Sequence, residues 1–309
     1  MLNKQLLIDT LSLQSESGKE ERVVEFVKNF CEHNELFYEM DKMNNIFITK
    51  GYSHLYPCFI AHMDTVANIV ENKTVVELNN CLFAMNAVTM DRIDIGGDDL
   101  VGVAICLHAL LELEYCKVAL YCNEELGCLN SYESDITFFD DVSFGLQFDR
   151  KGNEGFVIDA CGVKLSSSEF QDTILPTIND FTYKFVNGGM TDVMALKEIG
   201  VTCPLANVEC GYYNPHSNES YVVIQDVEIA LELGLLLAIE YGDVAFTPQN
   251  SEARKTYDRY DWYTPDTITS NRKTSIYCVD CYKPVDFITN EEELCDECYD
   301  YYYSETLKD

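Results

Sequence analysis

Two histidines and six carboxylates stand where their types and neighbours could hold metal and move a proton. His62 and Asp64 form a His-x-Asp pair, Asp98-Asp99 and Glu124-Glu125 are adjacent acid pairs, Asp149 stands apart, and His216 lies in a Gly/Asn/Pro loop. Zinc accepts imidazole nitrogen and carboxylate oxygen at roughly 2.0–2.2 Å. Two divalent ions about 3.5–4 Å apart, sharing one carboxylate, can hold a bridging water, lower its pKa and polarise a carbonyl. In Glu124-Glu125 one acid can ligate while the other stays free as a base. Asp64 can hydrogen-bond the second ring nitrogen of His62 and fix the ring. The chemistry such a set supports is metal-assisted hydrolysis.

These side chains work together only if the fold brings them together, and the elements before them predict that it does. The apolar, β-prone run Cys58–Ala61 leads into His62, Val118–Cys122 into Asn123-Glu124-Glu125, and Phe144–Phe148 into Asp149. Pro204–Val208 leads into the loop carrying His216, and Ile46–Thr49 is a further strand. Gly96-Gly97-Asp98-Asp99 precedes a helix over Asp99–Glu114 that is apolar on nearly every side. Helical spacing marks Val23, Val24, Val27, Phe30 and Cys31. Two more helices are expected, Thr191–Ile199 closed by Gly200 and one from an Asp226 cap to Tyr241, closed by Gly242. Strands alternating with helices predict an α/β fold, a mostly parallel central sheet with helices on both faces. Ligand sites in such sheets gather beyond the carboxyl ends of the strands. Five segments are therefore expected to converge there.

The order of these motifs resembles the co-catalytic metallopeptidases that include peptidase T, the carboxypeptidase G type and the aminoacylases. The resemblance rests on Ala61-His62-Met63-Asp64-Thr65, Gly97-Asp98-Asp99-Leu100-Val101-Gly102, Glu124-Glu125-Leu126-Gly127 and Asp149. Gly188-Gly189-Met190-Thr191-Asp192, Gly211-Tyr212-Tyr213-Asn214-Pro215-His216 and the opening Leu11–Glu20 complete it. It covers roughly residues 1–242. It implies that His62 and Asp149 hold one metal, Glu125 and His216 the other, and that Asp98 bridges them. Glu124 would then be the general base, Asp64 would orient His62, and Asp192 would support the site through hydrogen bonds. Zn2+ is the expected metal, and the same donors suit Co2+ or Mn2+. Residues 150–187 are too few for the lid and dimerisation domain that such enzymes insert here, and no arginine precedes the Gly-Gly segment. The resemblance implies the catalytic core alone.

A second metal signal stands near the end of the chain. Cys278, Cys281, Cys295 and Cys298 spell C-x2-C-x13-C-x2-C, the spacing of a four-cysteine zinc ribbon. The sequence thus divides into a catalytic domain over 1–242, a linker or packed arm over 243–274, and a ribbon module over 275–309. Tyr299–Tyr303 could pack the ribbon onto the main domain, where it would contact protein or gate substrate. The other ten cysteines are scattered, several in apolar runs (Cys58, Cys106, Cys122), and read as small buried hydrophobes. His33, His54 and His108 lack a partner pattern and read as structural or solvated.

Composition sets the boundaries. The chain has 309 residues, 47% of them hydrophobic, enough for a sizeable core. Against 53 Asp and Glu stand 21 Lys and Arg, a formal charge of -32, which disfavours nucleic acid and anionic membranes. No signal peptide or spanning segment is evident, so a cytoplasmic protein is expected. The leading expectation is a two-zinc aminopeptidase on short peptides. An N-acyl amino acid deacylase, a carboxypeptidase-type amidohydrolase, and a non-catalytic binding or regulatory protein that kept the fold are the alternatives. Self-association or a protein partner through the ribbon is a further expectation.

Overall fold

Where the sequence runs apolar without alternation, both faces of a strand must be covered, and these runs become the middle of one large sheet. The computed structural model describes residues 2–249 and two short strands, Ile276–Tyr277 and Pro284–Val285, which pair antiparallel. Cys278, Cys281, Cys295 and Cys298, and residues 250–274 of the arm, lie outside the described residues.

In chain order the body opens with helices α1 (Lys4–Leu11) and α2 (Glu21–His33), then strands β1 (Phe37–Met40), β2 (Ile46–Lys50) and β3 (Tyr56–His62). Strands β4 (Lys73–Leu78), β5 (Cys81–Asn86) and β6 (Arg92–Ile93) precede helix α3 (Gly97–Glu112) and strand β7 (Cys116–Tyr121). Next come β8 (Val142–Arg150), β9 (Gly155–Ala160), β10 (Val163–Lys164), α4 (Ser168–Asp180) and β11 (Lys184–Gly188). The body closes with α5 (Asp192–Ile199), β12 (Leu205–Glu209), β13 (Tyr212–Tyr213), β14 (Tyr221–Val223) and α6 (Ile224–Tyr241).

The large sheet has nine strands in the order β1-β2-β7-β3-β8-β12-β9-β10, with β11 also paired to β9. Its middle, β7-β3-β8-β12, is parallel, so four carboxyl ends share one edge. Antiparallel pairs finish the margins, except that β11 runs parallel to β9. Side chains alternate between two cores: Phe59 and Ala61 of β3 face one, Cys58 and Ile60 the other. The first core takes α1, α2, α3, α4 and α6, and the second takes α5. Helices therefore cover both faces, as the alternation predicts. A second, antiparallel sheet, β13-β14-β5-β4 with β6 on β5, holds the loop that carries His216.

Helix boundaries differ from the sequence reading in two places. Asp98 and Asp99 are non-helical, so the regular part of α3 starts after them. α6 begins at Ile224, because β14 runs straight into it and Val223 takes the cap position. Asp226 instead sits in the first turn and accepts a hydrogen bond from the Tyr213 hydroxyl (2.6 Å). Gly200 closes α5 with φ +113, the left-handed conformation a helix stop favours. Residues 151–187 lengthen the sheet and add α4 in place of a separate inserted domain. Beyond α6 the chain stays packed: Phe246 sits edge-on to Phe170 (5.0 Å), and the Gln249 amide donates to the Thr202 carbonyl (2.9 Å).

Candidate metal centre

His62 ends β3, Glu124 and Glu125 follow β7, Asp149 sits near the end of β8, and His216 lies between β13 and β14. Asp98 stands at the head of α3. All six come together beyond the shared edge of the parallel strands.

Asp98 is the centre of the cluster. One of its oxygens is 3.1 Å from His62 Nε2 and the other 3.2 Å from His216 Nε2. Asp149 approaches His62 Nε2 at 3.3 Å, and Glu125 approaches His216 Nε2 at 3.0 Å. Glu124 Oε2 lies further from His62, at 3.9 Å. Asp99 faces the other way. Its carboxylate accepts the backbone N–H groups of His62 (3.1 Å) and Gly102 (3.0 Å), and the Asp98–Asp99 peptide is cis. A Cβ on Gly102 would collide with both Asp99 oxygens and with the Phe148 carbonyl, so this close approach requires glycine.

The supporting bonds explain the orientation. The His62 Nδ1–H donates to the main-chain carbonyl of Asp64 (2.9 Å), with the Asp64 carboxylate at 3.4 Å. The same carboxylate also accepts N–H bonds from Glu124 (2.9 Å) and Glu125 (3.3 Å) and the Ser17 hydroxyl (2.7 Å). With Nδ1 donating, Nε2 of neutral His62 turns a lone pair toward two carboxylates. Only a proton or a cation between them relieves that arrangement.

Several partners carried no metal-like signal in the sequence. Asn207 grips Asp149 from β12, accepting its N–H (3.0 Å) and donating to its carbonyl (2.9 Å). Gln147 donates to the carboxylates of Asp149 and Asp192 (both 3.1 Å), and the Thr191 hydroxyl lies 3.1 Å from Asp149. Gln147 thus links Asp192 to Asp149. Cys128, buried and with φ +54, places its thiol 3.3 Å from Glu124 Oε1. The Tyr212 hydroxyl lies 3.5 Å from Asp149. Polar residues inside apolar strand runs, Gln147 and Asn207 above all, were the only available clue. Of the other histidines, His108 is buried and bonded within the fold, donating to Ala104 and accepting the Asn3 amide.

Electrostatics show what the cluster lacks. Burial, with neighbouring acids, pushes Glu125 up to about 7, Asp149 up to about 6 and Asp192 up to about 7, and raises Glu124 well above the carboxylate range. Burial alone would depress His62, but Asp149, Asp64 and Asp98 raise it well above an ordinary histidine. Hydrogen bonds to Asp98 and Glu125 lift His216 to about 11. Burial works to raise Asp98, yet the two histidines hold it below the ordinary range. Burial and mutual repulsion thus disfavour the charged forms of Glu124, Glu125, Asp149 and Asp192. One ligand atom each from His62, Asp99 and Asp149, and likewise from His62, Asp98 and Glu125, lie within 4.8 Å of one another. Imidazole and carboxylate at this spacing suit divalent cations.

A cavity of about 320 Å3 adjoins the centre at His216 and is lined in part by Gln14, Val66, Asn68, Lys73 and Asp94. The Lys73 ammonium is bonded to the carbonyls of Leu13 and Ile95 (both 2.9 Å).

The sequence matches no protein-family model and no curated protein. Solved structures share the fold. A tripeptidase from Staphylococcus aureus is 12% identical with a TM-score of 0.62, over 78% of this chain and 100% of its own. The aminopeptidase PepT from Bacillus cereus is 11% identical with a TM-score of 0.61, over 77% and 98%. The TET1 peptidase of Pyrococcus horikoshii, which can assemble into a tetrahedron or a large octahedral shell, is 15% identical with a TM-score of 0.54, over 76% and 99%.

Proposed function

We propose that this chain is a two-metal hydrolase of amide bonds, an aminopeptidase acting on short peptides. The observation that carries the reading is Asp98, whose two oxygens reach one nitrogen each of His62 and His216. In this reading His62 and Asp149 hold one Zn2+, Glu125 and His216 the second, and Asp98 both. Co2+ or Mn2+ would suit the same donors. The peptidases with which the chain shares its fold support the choice of reaction.

When bound, the two cations supply an acidified water and polarise the amide carbonyl. Glu124 takes a proton from the attacking water and returns it to the leaving amine. Its position suits a base, because it stands outside the shorter contacts and Cys128 holds one of its oxygens. Asp64 sets both His62 and the Glu124-Glu125 backbone. Asn207, Gln147 and Thr191 fix Asp149.

The reading extends to the end of the chain, where Cys278, Cys281, Cys295 and Cys298 would hold a third zinc. Free and mostly buried cysteines fit a reducing compartment, the cytoplasm. Among the described residues no helix is long and apolar enough to cross a membrane. Self-association is a further element of the proposal, supported by the assemblies that TET1 forms.

Purified protein should carry about three zinc-sized ions per chain, two in the site and one in the ribbon, as the ligand count requires. Glu124→Gln should retain them while losing turnover of dipeptides. Hydrolysis by Glu124→Gln at the wild-type rate would overturn the mechanism, and uptake of one ion only would overturn the two-metal site.

A further inference from the structure

A group that positions others must itself be held by contacts other than the one it makes to the site. The segment 12–20, between α1 and α2, meets that condition. It runs parallel to the residues after β3 through a Glu16–Thr65 bridge. The Thr65 N–H donates to the Ser15 carbonyl (2.6 Å), and the Ser17 N–H to the Thr65 carbonyl (3.2 Å). The Ser15 hydroxyl donates to the Met63 carbonyl, the Val70 N–H to the Gln14 side chain, and the Lys73 ammonium to the Leu13 carbonyl. Gly18, at φ +79, turns the chain toward α2, and its N–H donates to the buried Glu20 carboxylate (2.8 Å). Ser17 is thus held in place independently of its own hydroxyl.

That hydroxyl donates to Asp64 Oδ2 at 2.7 Å. Among the described residues the same oxygen has one other donor, the Glu125 N–H at 3.3 Å, while Oδ1 takes the Glu124 N–H at 2.9 Å. Ser17 therefore supplies the short bond to Oδ2, and hydroxyl-to-carboxylate bonds are about twice as strong as neutral ones. The two amide donors belong to the very turn that Asp64 arranges, so only Ser17 ties the carboxylate to a separate, fixed segment. We propose that Ser17 is a positioning residue, whose hydroxyl sets the rotation of the Asp64 carboxylate and through it the backbone of Glu124 and Glu125. The inference rests on the two-metal hydrolase reading and adds to it a group that touches neither substrate nor metal. Without the hydroxyl, Oδ2 keeps only its longer bond, and the carboxylate is free to turn about Cβ–Cγ. Glu124 and Glu125 then lose the fixed placement of base and metal ligand. Misplacement of this kind slows the chemical step more than it weakens substrate binding.

The test is dipeptide turnover by the full, metal-loaded chain, with kcat and KM read separately. Ser17→Ala should lower kcat about tenfold, the effect of losing one hydrogen bond to a charged group, and leave KM within about twofold. Ser17→Thr keeps a hydroxyl on the same carbon and should restore most of the wild-type kcat. Ser12→Ala, which removes an exposed hydroxyl bonded to the Ile8 carbonyl (2.7 Å) in the same segment, should leave kcat unchanged. A wild-type kcat in Ser17→Ala would overturn the role while the hydrolase reading stands. A loss that Ser17→Thr does not restore, or that Ser12→Ala shares, would also overturn it, reducing the hydroxyl to a packing contact. Should the wild-type protein bind two metals and cleave no dipeptide, the hydrolase reading falls and the visible absorption of the Co2+-loaded protein decides. Ser17→Ala should then alter the cobalt bands and Ser17→Thr restore them, and an unaltered spectrum would overturn the positioning role. Wild-type protein that takes up no cobalt would remove the two-metal reading and this role with it.

Discussion

Asp98 and Asp99 share a residue type and adjoining positions, yet one faces two imidazoles and the other two backbone amides. The family resemblance, through the Leu100-Val101-Gly102 continuation, implies Asp98 as the shared ligand, and the proposed two-metal reading rests on its two imidazole contacts. Asp98→Asn is therefore expected to lower metal content, read by elemental analysis, while Asp99→Asn keeps it. Cys128 is a second residue with an assignable task. Cys128→Ala should lower kcat about fivefold, the equivalent of roughly 1 kcal/mol for one hydrogen bond, with Cys128→Ser largely restoring it. Metal uptake should also be coupled to protons, because burial pushes Glu125 up to about 7 and Asp149 up to about 6, and neighbouring carboxylates raise both histidines above their usual range. At pH 6 zinc must displace protons from carboxylates and imidazoles, and at pH 8.5 from imidazoles only. Proton release, measured from the buffer dependence of the binding enthalpy, should be larger at pH 6, and affinity should weaken as pH falls.

Elements differ in how far they could be read ahead of the structure. β3, β7, β8 and β12 are buried along almost their whole lengths, so continuous apolar runs announced them. The sheet that carries the His216 loop was silent, because strands such as β4 are largely exposed and show no sustained alternation. The same limit hid Asn207 and Gln147, whose task depends on which strand lies beside β8, a fact of topology absent from local pattern. Asn207→Ala leaves two backbone groups of Asp149 without their partner and should cost about 1–3 kcal/mol in thermal unfolding. α1 offers a test of another kind. Its cap residue Asn3 donates its N–H to His108 Nε2 (2.8 Å) in α3, while His108 Nδ1–H donates to Ala104 (2.7 Å). Burial lowers His108 below its usual value, so the folded protein favours the neutral ring. The unfolded chain binds the proton first, so this contribution is full above about pH 6.5 and is lost as pH falls below it. Protection factors of the α1 amides, corrected for the intrinsic pH dependence of exchange, should fall between pH 7.5 and pH 5, and His108→Gln should remove most of that fall.

For the whole molecule, the formal charge of -32 reaches beyond the catalytic cluster. It should draw cationic peptides toward the cleft and be screened by salt. Raising ionic strength from 20 to 500 mM (chosen to span strong and weak screening) should lower kcat/KM for lysine-containing peptides and leave acidic ones unaffected or faster. The chain between β8 and α5 forms β9, β10, α4 and β11, which extend the large sheet and its helical cover. Buried Lys197 holds the carbonyls of Val201, Cys203 and Gln249 at the far end of α5, while Thr191 and Asp192 stand at its near end beside Asp149. Eight residues of helix, about 12 Å, therefore separate the hydrogen bonds around Asp149 from Gln249. In the two-metal reading, a load at Gln249 would be borne by the same helix whose first turn holds the hydrogen-bond partners of Asp149.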